Sequence, residues 1–156
     1  MHKLYEYFQQ LKPAIVGQQL TVQQFHSLFK KHIVRALPVR VTKKYDLTTQ
    51  KGLVYVGGVY FSDFDKSKQK CIEVSFVYNL NDEKLIYTKH KFDRTCTVIA
   101  DVILHEIIHM RQYRRRNFKV LPDYASTAEK TEQRVQQEYY GNSDEIDAYA
   151  FNIACE

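Results

Sequence analysis

The stretch Val98-Ile99-Ala100-Asp101-Val102-Ile103-Leu104-His105-Glu106-Ile107-Ile108-His109-Met110 decides how the rest of the chain is read. Val98, Ile99, Val102 and Ile103 recur at the spacing of one helix face, which predicts an amphipathic helix with that face in the core. His105-Glu106-Ile107-Ile108-His109 is an HExxH motif. Residues four apart lie one turn apart on the same face of a helix, so both imidazoles can reach one ion. Zinc takes imidazole nitrogen at about 2.0–2.1 Å, and the pair would supply two of the three protein ligands of a catalytic site. Glu106 projects about 100° round from His105, beside the ion rather than on it. There it can take a proton from a water held on the metal and deliver it to a leaving amine. Neutral imidazole ligands with a free carboxylate as base are what metal-assisted peptide hydrolysis requires. The competing reading is an amphipathic helix whose histidines are merely satisfied core or surface groups. The uncharged flanks Val102, Ile103, Leu104 and Met110, with acids further along the chain, favour the metal.

Outward from this helix the chain divides by hydrophobic period. Asp93 is a candidate N-cap for a helix running to about Arg115. Upstream, from Ile33 to Phe92, the period is closer to two. Ile72, Val74, Phe76, Tyr78 and Leu80 alternate with Cys71, Glu73, Ser75, Val77 and Asn79, the pattern of a half-buried strand. Pro38 to Lys43, Leu53 to Phe61 and Leu85 to Phe92 are further strand candidates. Asn81-Asp82-Glu83 reads as a hairpin turn, and Gly57-Gly58 as a bulge or sharp bend. Earlier still, Leu4, Tyr7, Phe8 and Leu11, then Val22, Phe25, Leu28 and Phe29, predict two helices separated by Pro13 and Gly17, the second capped by Thr21. Downstream, Ser126 to Tyr140 reads as a polar helix with a capping box from Ser126 and Glu129. Gly141-Asn142 ends it, and Asn142 or Ser143 can cap a last helix to Cys155. Helices, an antiparallel meander and helices again predict an α+β fold.

At 156 residues the chain fits one domain, and 44% hydrophobic with 26% charged residues is ordinary for a folded protein. No segment approaches the roughly 18 apolar residues of a membrane span. The N-terminus lacks the apolar core of a signal peptide, so an unexported, cytoplasmic protein without membrane contact is expected. Cys71, Cys96 and Cys155 are odd in number, form no CxxC pair, and read as small buried hydrophobes.

No histidine follows His109. That excludes the metzincins and the SprT-like proteases, whose third metal ligand is a histidine, and leaves an acid on a later helix. Asn142-Ser143-Asp144-Glu145-Ile146-Asp147-Ala148-Tyr149-Ala150 offers one. Over residues 93–156 the chain resembles the gluzincins, the zincin clan typified by thermolysin. The string from Asp144 to Asn152 is also similar to that of small metallopeptidases of tailed bacteriophages, which would place the protein in the host cytoplasm or the virion. The resemblance implies a zincin-like domain over 1–156, with N-terminal helices, an antiparallel sheet, an HExxH active-site helix and C-terminal helices. It implies zinc held by His105, His109 and Glu145, with Glu106 as general base, cutting protein or peptide substrates as an endopeptidase rather than an exopeptidase.

The chain departs from the family at two positions. Arg111 stands where zincins more often carry an apolar residue, and Tyr149 stands where an aspartate commonly bonds a ligand imidazole. That supporting role then falls to Asp147 or to Tyr149 itself. Asp144 and Asp147 remain rivals of Glu145 for the ion, and Asp144 and Glu145 could simply be first-turn acids favouring the helix dipole. Asp101, one turn before His105, could orient an imidazole. Tyr139 or Tyr140 could donate to an oxyanion. An edge strand would pair with extended substrate, and Leu85 to Phe92 is nearest in sequence.

Two other classes compete. One is a zincin-like binding or structural protein with a non-catalytic metal, since so short a chain leaves little for a substrate cleft. The other is a nucleic-acid-associated component. It is suggested by a net charge of +5, a pI near 9.0 and the cluster Arg111, Arg114, Arg115, Arg116 and Lys119, which can equally complement the helix dipole. His2, His26, His32 and His90 have no partner in spacing and read as structural.

Overall fold

The structure is a computed structural model that describes residues 2–119 and 142–154. It is α+β. The elements run α1 (His2–Gln9), α2 (Lys12–Ile15), β1 (Gln19–Thr21), α3 (Val22–Ala36), β2 (Val39–Asp46), β3 (Val54–Tyr60), α4 (Ser62–Lys66), β4 (Ile72–Asn79), β5 (Lys84–Ile86), α5 (Lys89–Arg115) and α6 (Ser143–Ala154). The helix expected over Ser126 to Tyr140, the loop at Pro122, and Gly141 and Cys155 lie outside the described residues. No helix among the described residues is long and apolar enough to cross a membrane.

Thr21 begins α3 as its spacing predicts. Its hydroxyl accepts from the Gln24 N–H at 3.2 Å, and the Gln24 side chain returns to the Thr21 N–H at 2.8 Å, a reciprocal capping box. Phe25, Phe29 and Ile33 then point one way, into an aromatic core with Phe8, Phe76, Phe92 and Tyr78. Phe29 sits at its centre, 5.0 Å from Phe25, 5.8 Å from Phe76 and 6.3 Å from Phe92 between ring centroids. Two of the histidines without metal spacing are structural here. The ring of His26 meets the Tyr78 hydroxyl at 3.3 Å, and His32 stacks on Tyr7 and bonds its carbonyl at 2.8 Å. Cys71 and Cys96 are buried free thiols.

The main sheet has the order β2-β4-β3, and the expected all-antiparallel meander is corrected in one respect. β3 runs antiparallel to β4, but β2 runs parallel to it, with Val39 opposite Ile72 and Asp46 opposite Asn79. β4 enters between two strands laid down before it. Both its edges are therefore taken, and the turn at Asn81-Asp82-Glu83 closes no hairpin; β5 pairs instead with β1. Buried Asn79 secures the crossing by donating to the carbonyls of Leu47 and Thr49, and Asp82 accepts from the Gly52 N–H at 3.1 Å.

Two further expectations change at the start of α5. Leu85 to Phe92 is not a strand throughout, since β5 ends at Ile86 and Phe92 is already a helical core residue. The cap is Thr88, not Asp93, its hydroxyl accepting from the Lys91 N–H at 3.3 Å. Phe92, Cys96, Ile99 and Ile103 then line one helix face, and the change from period two to period 3.6 falls a turn earlier than the pattern suggests. Gly57 and Gly58 form no bulge, because the β3–β4 register runs through them unbroken. α5 instead crosses β3 so closely that a Cβ on Gly58 would lie 2.7 Å from Glu106 Cγ and from Val102 Cγ1.

Candidate metal centre

α5 carries the two histidines in its second half, after the turns anchored in the core. Their rings meet edge to face, 4.6 Å between centroids, and the two Nε2 atoms are 2.9 Å apart. α6 brings the third group. Asn142 begins that helix, its side chain accepting from the Asp144 N–H at 2.8 Å, so that Glu145 falls in the first turn and faces α5. One Glu145 carboxylate oxygen lies 3.2 Å from His105 Nε2 and the other 3.2 Å from His109 Nε2. Glu145 is buried, the His105 and His109 side chains are nearly so at 11% and 12% exposed, and His109 and Glu145 line a cleft.

This donor set fits a cation. Ligands about 2.0–2.1 Å from a tetrahedral ion stand about 3.3 Å apart, close to the spacing found here. Burial and the neighbouring His109 hold His105 below the usual histidine range despite the Glu145 carboxylate, which favours a neutral ring with a lone pair to give. Glu145 Oε2 is buried and, although 3.2 Å from His105 Nε2, has no partner of hydrogen-bond geometry among the described residues, an expensive state for a carboxylate oxygen unless a cation answers it. His105, His109 and Glu145 thus form a buried group that can hold a metal ion.

Glu106 faces β3. It is 7% exposed, and burial together with the Glu145 carboxylate pushes it up to about 7, against the pull of the Tyr60 backbone hydrogen bond. A cleft of about 260 Å³ joins Glu106, His109 and Glu145 to Gly58, Tyr60 and Tyr113. β3 pairs only with β4 among the described residues, so it is an edge strand, and this edge borders the cleft. The strand part of Leu85 to Phe92 pairs with β1 and does not line this cleft.

The other candidates separate clearly. Asp144 is turned away from the ion's position, its carboxylate gripped by both terminal nitrogens of Arg116 at 2.5 and 2.6 Å. Asp147 is exposed on α6, and at His109 the supporting role expected of it is filled by Gln112, whose side-chain oxygen is 3.0 Å from Nδ1. The Tyr149 ring packs 4.8 Å from the ring of His105. Asp101 is half-buried one turn before His105, and Tyr139 and Tyr140 lie outside the described residues. Of the basic cluster, Arg116 holds Asp144 and Arg114 holds Asp65 of α4 at 2.6 and 2.8 Å, which keeps the Asp65 carboxyl below the usual range. Arg111, Arg115 and Lys119 are exposed and have no such carboxylate clamp among the described residues.

Comparison of this chain with protein-family models, with curated proteins and with solved structures gave no match.

Gln112, Arg116 and Gly58 went unread in the sequence as parts of the site. The first two had a signal. Gln112 is three residues beyond His109 and Arg116 four beyond Gln112, which continues the face of the two histidines along the helix. Gly58 had none, because only the crossing of α5 over β3 explains it.

Proposed function

We propose that the protein is a zinc-dependent peptidase acting on extended protein or peptide segments as an endopeptidase. The observation that carries this reading is the buried His105–His109–Glu145 group with Glu106 beside it at a cleft bordered by a strand edge. Two imidazoles and a carboxylate are a donor set that suits zinc in catalytic sites. Zinc, when bound, polarises a carbonyl and makes water a nucleophile near neutral pH. Glu106 takes the proton from the attacking water and returns it to the nitrogen of the broken bond. The edge of β3 that is unpaired among the described residues offers N–H and C=O groups to an extended chain, which aligns the scissile bond with little selection by side chain. His109 and Glu106 both line the same cleft, so substrate and base approach from one direction.

The test begins with the metal content of the full chain purified without added zinc, wild type beside Glu145→Ala. We expect about one zinc per wild-type chain and less in the variant. Zinc-loaded wild type should then cut labelled casein, while Glu106→Gln keeps its zinc and loses the activity. Equal activity in Glu106→Gln would overturn the peptidase reading. Burial of the group favours a second reading, in which the ion only ties α5 to α6. On that reading zinc raises the melting temperature and no peptidase activity accompanies it.

A further inference from the structure

The second reach of α5, past the metal motif, does more than end a helix. Gln112 makes two bonds at once. Its amide nitrogen donates to the Asp144 carbonyl at 3.0 Å, and its amide oxygen lies 3.0 Å from His109 Nδ1. The first bond fixes the second, because a carbonyl can only accept and so the NH2 end of Gln112 must face it. The oxygen is left for His109, which must therefore carry its proton on Nδ1. A neutral imidazole protonated there presents its lone pair on Nε2, the atom that faces Glu145. One turn on, Arg116 grips the Asp144 carboxylate in a two-pronged pair. The residue next to Glu145 is thus held through its carbonyl by Gln112 and through its side chain by Arg116.

We infer that Gln112 and Arg116 are positioning residues that preset the metal site before any ion arrives: Gln112 fixes the His109 tautomer, and the two together fix the distance at which α6 presents Glu145. All three donors are then referenced to a single helix, α5. The inference rests on the metal reading of His105, His109 and Glu145. Hydrogen bonds behind a ligand typically set metal affinity by about 10–100-fold. Position 112 is half-buried at the helix surface, so its replacement should leave the fold intact.

The experiment uses the full chain. In metal-free protein, nitrogen-15 shifts of the His109 ring report which nitrogen carries the proton. Zinc affinity is read separately by competition with a chromophoric chelator. Wild type should show one tautomer, protonated on Nδ1. Gln112→Leu should show a mixture and bind zinc about 10–100-fold more weakly. Gln112→Glu keeps an acceptor for His109 but loses the donor to Asp144, so it should keep the tautomer and lie between the two in affinity. A Gln112→Leu chain with the wild-type tautomer and zinc affinity within twofold of wild type would overturn Gln112's role. Arg116→Met strands a buried carboxylate and can unfold the chain, so the latch is read in Arg116→Met/Asp144→Leu. Weaker zinc binding in that pair supports the latch, and unchanged binding overturns it. A wild-type chain that takes up no zinc would defeat the metal reading on which the latch depends. The tautomer in metal-free protein would still decide whether Gln112 presets His109.

Discussion

A single methyl group at position 58 would strike both Glu106 and Val102, and neither contact is with the free end of a flexible chain alone. Overpacking of this kind typically costs about 1–3 kcal/mol. Gly58→Ala should therefore lower the unfolding midpoint in urea, and on the proposed function it should reduce peptidase activity more than zinc content, since Glu106 moves while the three donors do not. Unchanged activity with an unchanged midpoint would mean that β3 and α5 separate freely. At this scale the sequence was legible where chemistry dictates spacing. His105 and His109 can be read as a pair because imidazoles one turn apart can reach one ion, and the structure brings both together with Glu145. Glu145 needed its flanking acids to be sorted by tertiary contacts, and those came from Arg116, a residue that composition alone assigns to a surface charge cluster.

Elements were legible to the extent that their own residues decide them. α3 announces its start, because Thr21 and Gln24 satisfy two N–H groups that any helix leaves open. Removing that hydroxyl in Thr21→Ala should cost about 1 kcal/mol, measured as a lower midpoint in urea with an unchanged slope. A loss below a few tenths would show the cap to be redundant. The start of α5 was less legible. Leu85 and Tyr87 alternate with Ile86 as a strand should, and only Thr88 marks the change of period, without the acidic first turn that often accompanies a helix start. β2 to β4 were placed correctly within a few residues, yet their partners were not. Pairing is a property of two segments, and nothing within Ile72 to Asn79 states that one neighbour runs parallel and the other antiparallel.

For the molecule as a whole, the aromatic core sets a pH dependence of its own. Burial, with Lys43 and Lys30 nearby, pulls His26 down to about 4 from its ordinary 6.5. The folded protein therefore binds fewer protons than the unfolded chain between those values, and stability falls as pH drops through that window. The loss approaches about 3 kcal/mol at its lower end. Urea unfolding of His26→Gln should show a flatter dependence between pH 6.5 and 4 than wild type, and parallel curves would show that His26 protonates without cost. The insertion of β4 between β2 and β3 has a consequence for biosynthesis. The central strand leaves the ribosome after both strands it joins, and the helix with the two histidines follows it. Until Asn79 has emerged, β2 and β3 offer unpaired edges with nothing of their own sheet to receive them, the condition in which nascent chains associate with one another. A stall in translation before that point would leave the chain most prone to aggregate, and a chaperone that covers strand edges would act there.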